Sequence, residues 1–427
     1  MKIIHYNKIS TKQKSSLLQR PSIDMHQTYQ TVQPILNDIK VNGLQSILKY
    51  AKNFDDYTGN QIKVTQKEFN NCENLVSPEY KRAVRVASAN IKKFHQLQLP
   101  NKYSVETMPG IKCSREFRAI ENIGLYIPGG TAILPSTLMM LAIPAIIAGC
   151  KRIVICSPAK KSISPEVLYI AKFLGIKEFY KVGGAQAIGL MAYGTNKIKK
   201  VDKIFGPGNQ FVTAAKALVS IDPNGCAIDM LAGPSELLVI ADESVKAEYI
   251  AADLLSQAEH GNDSQVILCT TSKKLIEKVN LEIDRQCNIL ERIAFIKKAL
   301  EKSFSILFDK IEHAIDFSNS YAPEHLIINV KNVKLITKKI VNAGSVFIGQ
   351  YSPESVGDYA SGTNHSLPTY GYARSIGGVS VEQFMKGLTF QELSKKGLEN
   401  ISRTVIDLAE TEKLQAHANA VKIRLQK

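Results

Sequence analysis

Residues 236–270, ELLVIADESVKAEYIAADLLSQAEHGNDSQVILCT, decide the fold. LLVIA is apolar at every position, as in a strand covered on both faces. VKAEYIAADLLSQAEH then spaces its apolar residues three or four apart, the period of a helix with one buried side. After the polar turn GNDS, QVILCT is a second strand with an unbroken apolar centre. Strand, helix and strand of these lengths make a parallel crossover unit. Working outward, the alternation recurs: KRIVICS precedes PEVLYIAKFLG, EFYKVGG precedes AQAIGLMAYG, VDKIFGPGN precedes QFVTAAKALVS, and HLIINV precedes KNVKLITKKIV. Parallel sheets covered by helices follow, with too many strands for one small sheet. The chain is therefore predicted to be α/β with two parallel-sheet units. Residues 1–120 read as mainly helical, and residues 380–427 as helical with no strand signal.

Composition narrows the function classes. With 44% hydrophobic and 22% charged residues, the chain has the balance of a soluble globular enzyme. Lys and Arg outnumber Asp and Glu by 54 to 39, a net charge of +15. The lysines are scattered along helix faces, without an arginine-rich block or aromatic-interleaved stripe, so nucleic acid is not an expected partner. Seven cysteines without a CxxC pair read as small buried hydrophobes in a reducing cytoplasm. The longest apolar run, Leu138 to Ala148, is short and interrupted by Pro144, so no membrane span is expected. The N-terminus carries no secretory apolar core, and a cytoplasmic protein is expected.

Three junctions are rich in glycine: GLYIPGGTA (124–132), VGGAQAIG (182–189) and FGPGNQF (205–211). Glycine lets backbone approach a ligand, and the helix that follows offers free N–H groups to an anion. None is a dinucleotide fingerprint, because Phe211 stands where a third glycine belongs and no acidic residue closes a following strand at the right distance. Taken together they predict a ligand crossing the carboxyl edge of a sheet.

The helix of the opening stretch ends in polar residues. Asp253, Gln257 and His260 fall at i, i+4 and i+7 and share a face. Gly261 is a natural residue just past a helix end, and a cation suits His260 there, but neither accounts for Gln257. Glu324 and His325, in SYAPEHLIINV, stand immediately before a strand, at the edge where α/β enzymes keep their chemistry. An adjacent acid and imidazole can serve as two proton-transfer groups. Asp358 lies in a loop richer in Gly, Ser, Thr and Asn than packing requires, and His365 in the same loop reads as structural. Glu412 and His417 read as one solvated helix face.

In order, GLYIPGG, VGGAQAIG, FGPGN, IDMLAGPSE, DLLSQAEH, YAPEHL, GSVFIGQYSPESVGDYASGTNHSLPT and EKLQAHANAV resemble the motifs of the histidinol dehydrogenase family, from LLQRP near the N-terminus to the last helix. The resemblance implies NAD-dependent, zinc-dependent oxidation of L-histidinol to L-histidine through bound L-histidinaldehyde, with two NAD+, as the last step of histidine biosynthesis. It implies an intertwined homodimer with two Rossmann-like domains and small, mainly helical terminal segments. The expected division is an N-terminal arm (1–22), a discontinuous domain carrying the zinc and catalytic site (23–131 and 236–379), an inserted domain contributing to the NAD site (132–235), and a C-terminal helical segment (380–427) swapped to the partner subunit. Carried over by position, the zinc ligands are Gln257, His260, Asp358 and His417, the last from the partner subunit. The same four residues, with His325, also contact substrate. Glu324 and His325 match the catalytic pair, Ser235 and Glu412 substrate contacts, and Tyr126, Gln186 and Asn209 NAD contacts. With nitrogen and oxygen donors and no thiolate, manganese or cobalt could replace zinc. Glu259 is then a solvated or supporting residue, and Asp253 a candidate partner for a ligand side chain. The competing readings are a zinc hydrolase using Glu324 as base and a non-catalytic paralogue that binds histidinol. The glycine turns argue against the first, and the presence of both Glu324 and His325 against the second.

Overall fold

The computed structural model describes residues 1–20, 25–129, 134–231 and 233–426. Residues 130–132 of the first glycine turn, and the expected borders at 22–23 and 131–132, lie outside the described residues, in whole or in part. The strands, in chain order, are β1 (Lys2–His5), β2 (Tyr103–Met108), β3 (Ile111–Ala119), β4 (Asn122–Tyr126), β5 (Arg152–Ser157), β6 (Glu178–Lys181), β7 (Lys203–Phe205), β8 (Ala227–Ile228), β9 (Glu236–Ala241), β10 (Gln265–Thr270), β11 (Phe304–Leu307), β12 (His325–Asn329), β13 (Ser345–Ile348) and β14 (Met385–Leu393). They form a six-stranded sheet, β1-β11-β10-β9-β12-β13, and a five-stranded sheet, β6-β5-β4-β7-β8. Both are parallel throughout. A third sheet, β14-β3-β2, is antiparallel.

The two predicted α/β units are present, and the opening stretch lies in the first. Successive residues of β9 serve opposite faces: Leu237 and Val239 pack toward the Ala247–Ala258 helix, Leu238 and Ile240 toward Phe317 and Tyr321. All four are fully buried, which is why LLVIA shows no alternation. Burying each contributes about 1.5–3 kcal/mol against the entropy of ordering the chain.

Three expectations need correction. Residues 23–131 do not join 236–379 in one unit. Strand β4 is the middle strand of the five-stranded sheet, and the Met25–Asn42 helix buries Val32, Leu36 and Ile39 against the helices over that sheet. The first unit instead takes its edge strand β1 from the N-terminal arm. Arg20 fastens the arm further, bonding both carboxylate oxygens of Glu236 at 3.0 and 2.9 Å and stacking over the Tyr321 ring at 3.6 Å. Residues 380–427 are not wholly helical, since β14 pairs with β3 along nine residues. The helices Lys395–Thr411 and Gln415–Leu425 follow as a hairpin rather than one helix, with Lys413 at φ 61° in the turn. Finally, Gly261 does not take positive φ, so the Ala247–Ala258 helix ends without a left-handed glycine. Among the described residues, no helix is long and apolar enough to cross a membrane.

Candidate active site and cofactor cavity

Two sites emerge, on opposite kinds of sheet edge. The glycine turns follow β4, β6 and β7, so they gather at the carboxyl edge of the five-stranded sheet, as expected. There Tyr126, Gln186 and Asn209 line one cavity of about 940 Å³. Glu324, by contrast, immediately precedes β12 and His325 begins it, and Ser235 immediately precedes the neighbouring β9. This cluster therefore lies at the amino edge of the six-stranded sheet, where β9 and β12 meet and the strand order reverses. The edge assumed from the sequence was the wrong one. A cation suits this end, because the helices that lead into the strands point their carbonyl termini at it.

The chain reaches Glu324 by a sharp switch. The Ile311–Tyr321 helix ends on Ala322 in the left-handed conformation (φ 52°), and Pro323 cannot continue it. Glu324 is buried, and its Oε2 accepts the backbone N–H of Glu236 at 2.8 Å. Burial pushes its pKa up, with partial relief from His325. His325 Nδ1 lies 3.5 Å from Glu324 Oε2 and 3.3 Å from the Glu236 carbonyl, while Nε2 stands 3.5 Å from Asp358 Oδ1 without a hydrogen-bond partner. Burial disfavours the imidazolium, but Glu324, Glu354 and Asp358 outweigh it and hold the His325 pKa well above its ordinary value.

Gln257 and His260 come from the end of the Ala247–Ala258 helix, and Asp358 from the Glu354–Tyr359 helix. One ligand atom each from His260, Glu354 and Asp358 lies within 4.8 Å of the others. Buried Gln257 donates its amide N–H to Glu354 Oε1 and accepts from the Glu236 N–H at 3.3 Å. His365 is structural, as predicted: its ring nitrogens meet the Asp358 carbonyl at 2.8 Å and the Thr137 hydroxyl at 3.2 Å. Asp253 is buried on the same helix, and burial pushes its pKa up to about 7. Glu259 gives its carbonyl to Arg292 at 2.8 Å.

The comparisons with known proteins decide the family. The model of the family "Histidinol dehydrogenase" matches residues 18–425. The chain belongs to the histidinol dehydrogenase family. A histidinol dehydrogenase of Vibrio parahaemolyticus is 48% identical over 428 residues, covering 100% of this chain and 99% of the relative. A chloroplastic histidinol dehydrogenase of Arabidopsis thaliana is 50% identical over 429 residues, covering 100% and 92%. The crystal structure of histidinol dehydrogenase from Elizabethkingia anophelis superposes with a TM-score of 0.94 at 48% identity, covering 100% of this chain and 98% of that one. A proline utilization A structure, at a TM-score of 0.51 and 10% identity, shares the fold alone over 76% of this chain.

Two residues matched to the histidinol dehydrogenase site lie away from the cluster. Glu412 and His417 are exposed on the C-terminal hairpin, which packs on itself and on β14. Two others were missed. Glu354 is 1% exposed, its Oε2 has no hydrogen-bond partner, and burial pushes its pKa up to about 8. Glu236 orders the centre through its backbone while its carboxylate holds Arg20 and the Tyr370 N–H at 2.8 Å. In SPESVGD, Glu354 looks like an ordinary first-turn acid of a helix, and only its spacing of four from Asp358 hinted at a shared face.

The donors fit a divalent cation. Asp253, Glu324, Glu354 and Asp358 bring four carboxylates to one largely buried region, and Glu354 Oε2 lacks a partner there. Burial raises the pKa of Asp253, Glu324 and Glu354, and a bound cation would favour their charged forms. Imidazole, carboxamide and carboxylate donors suit zinc and its neighbours.

Proposed function

We propose that the chain oxidises L-histidinol to L-histidine in two successive steps at the His325 cluster, through bound L-histidinaldehyde. The observation that carries this reading is the buried Glu324–His325 pair, with Gln257, His260, Glu354 and Asp358 closing round the same imidazole. Bound zinc would supply a Lewis-acidic anchor for the substrate's nitrogen atoms, and two NAD+ the oxidising equivalents. Gln257, His260 and Asp358 would hold the metal, with His417 of the partner subunit as fourth ligand. The cavity lined by Tyr126, Gln186 and Asn209 is the site for NAD+.

With a cation at Asp358 offsetting the carboxylates that favour the imidazolium, His325 takes the hydroxyl proton in the first oxidation through Nε2, which has no hydrogen-bond partner among the described residues. Once His325 has released that proton to solvent, Glu324 and His325 take one proton each from the water that hydrates the aldehyde. The Glu236 N–H steadies the Glu324 carboxylate while it does so. Burial of both groups limits water and retains a reactive aldehyde between steps. Ser235, at the head of β9, contacts substrate from this chain. Exposure of Glu412 and His417 here supports their serving a neighbouring subunit in a homodimer with shared sites.

The test is NADH formed per L-histidinol consumed by purified protein, before and after chelation and zinc restoration. About two NADH, lost on chelation and recovered with zinc, is the expected result. A ratio near one means the aldehyde escapes and removes the assigned role of Glu324. No NADH from metal-loaded dimer rejects the function.

A further inference from the structure

Each helix N-terminus facing the cavity has one or two of its first N–H groups bonded to protein groups. At the Gly184–Tyr193 helix, the Gly183 N–H donates to Asp55 Oδ2 at 2.9 Å and the Gly184 N–H to the Tyr126 hydroxyl at 3.1 Å. At the Gln210–Ile221 helix, Asn209 accepts from the N–H groups of Phe211 and Val212, both at 3.1 Å. At the Pro165–Phe173 helix, Ser164 accepts from Val167 at 3.4 Å. A phosphate brought to the first of these ends would meet a carboxylate where a dinucleotide fold usually offers bare N–H groups.

That carboxylate comes from far upstream, just past the Leu44–Phe54 helix, and Gln186 Nε2 also donates to its Oδ2 at 3.1 Å. Gly183 is close-packed here: a Cβ would stand 2.4 Å from Pro158 Cβ and 2.9 Å from Asp55 Oδ1. With Oδ2 engaged twice, Oδ1 accepts from no group among the described residues, and Asp55 lines the cavity. The charged neighbours in the lining are Asp56, Lys160 and Lys161. Lys160 is paired with Asp56 at 3.0 Å on the surface, and among the described residues Asp55 has no cation partner. A half-buried carboxylate with a free oxygen, pinned by neutral donors, prefers hydroxyl donors and repels phosphate.

We propose that Asp55 is the cofactor-selecting residue: Oδ1 accepts from the adenosine ribose hydroxyls of NAD+, and its charge excludes a dinucleotide phosphorylated on that ribose. This rests on the reading that NAD+ fills the cavity. The adenosine half is assigned because the lining includes no residue of the His325 cluster, so the half remote from the reacting ring belongs here.

Calorimetric titration of the zinc-loaded, full-length protein with NAD+, NADP+, AMP and adenosine 2′,5′-bisphosphate tests it. The wild type should bind NAD+ and AMP, and bind each 2′-phosphorylated counterpart at least ~10-fold more weakly. Asp55→Asn should lose roughly 10- to 100-fold in NAD+ affinity and less in NADP+ affinity, so that the preference shrinks. Equal weakening of both, or no change, would mean Asp55 only shapes the glycine turn and overturns the proposal. Should Asp55→Asn fail to fold, equal binding of AMP and the bisphosphate by wild type would overturn it as well. A wild type that binds neither NAD+ nor AMP rejects the cavity reading itself, a result separable because it does not involve the variant.

Discussion

Glu354 is a carboxylate surrounded by others, with one oxygen accepting from Gln257 and the other unpartnered. Turning the Gln257 amide and placing a further carboxyl group beside His260 and Asp358 both favour a bound cation. Glu354→Gln should therefore lower zinc affinity by about 10- to 100-fold, read by competition with a chromophoric chelator. Unchanged affinity would show that Gln257 is oriented without it. The residues most legible in the sequence, Gln257, His260, Glu324, His325 and Asp358, are polar groups in places where packing alone would not put them. Glu354 and Asp55 were not legible, because an acid at a helix start and an acid past a helix end are commonplace on surfaces. What distinguishes both is what folds over them.

Among elements, the turn at Gly206 rests on a buried ion pair. Lys216 and Asp229 are each 2% exposed; Lys216 Nζ donates to the Gly206 carbonyl at 2.8 Å, and Asp229 accepts the Gly206 N–H at 2.8 Å. Lys216→Met strands the Asp229 charge and should cost about 3–5 kcal/mol, seen as a lowered denaturation midpoint in urea. A loss below ~1 kcal/mol would mean the N–H groups of Gly206 and Met230 suffice for Asp229. The edge of the same sheet carries a pH-dependent contribution. Burial works against the Glu178 carboxylate, but Arg152, bonding it at 2.8 and 2.6 Å, and the Tyr180 hydroxyl outweigh this and lower its pKa. A lowered folded-state pKa adds stability above the unfolded value, lost as pH falls through the folded one. Glu178→Gln should thus cost roughly 1–2 kcal/mol at pH 7, with the gap to wild type closing below about pH 4. A gap independent of pH would assign the effect to packing. The central strands of the parallel sheets were legible because both faces are covered and their middle residues form unbroken apolar runs. β2 and β14 were not: β2 is exposed at every position, β14 at all but its two ends, so neither shows the burial alternation that marks a strand.

For the whole molecule, the proposed exchange of the C-terminal hairpin makes a sharp prediction. His417→Ala and His325→Asn homodimers should each be inactive, yet mixing after reversible dissociation should restore roughly a quarter of wild-type turnover, since half the dimers carry one intact site of two. No recovery would place His417 in its own chain's site. By itself the amino-acid sequence determined two parallel α/β units, three glycine turns gathered on one edge, and the family, because uninterrupted apolar runs and ordered motifs are properties of contiguous residues. Only the tertiary structure decided which strands share a sheet, that Glu324 and His325 lie at an amino edge, and that Asp55 closes a glycine turn distant in sequence. Those depend on strand pairing and long-range packing, which bring together residues that leave no joint pattern along the chain.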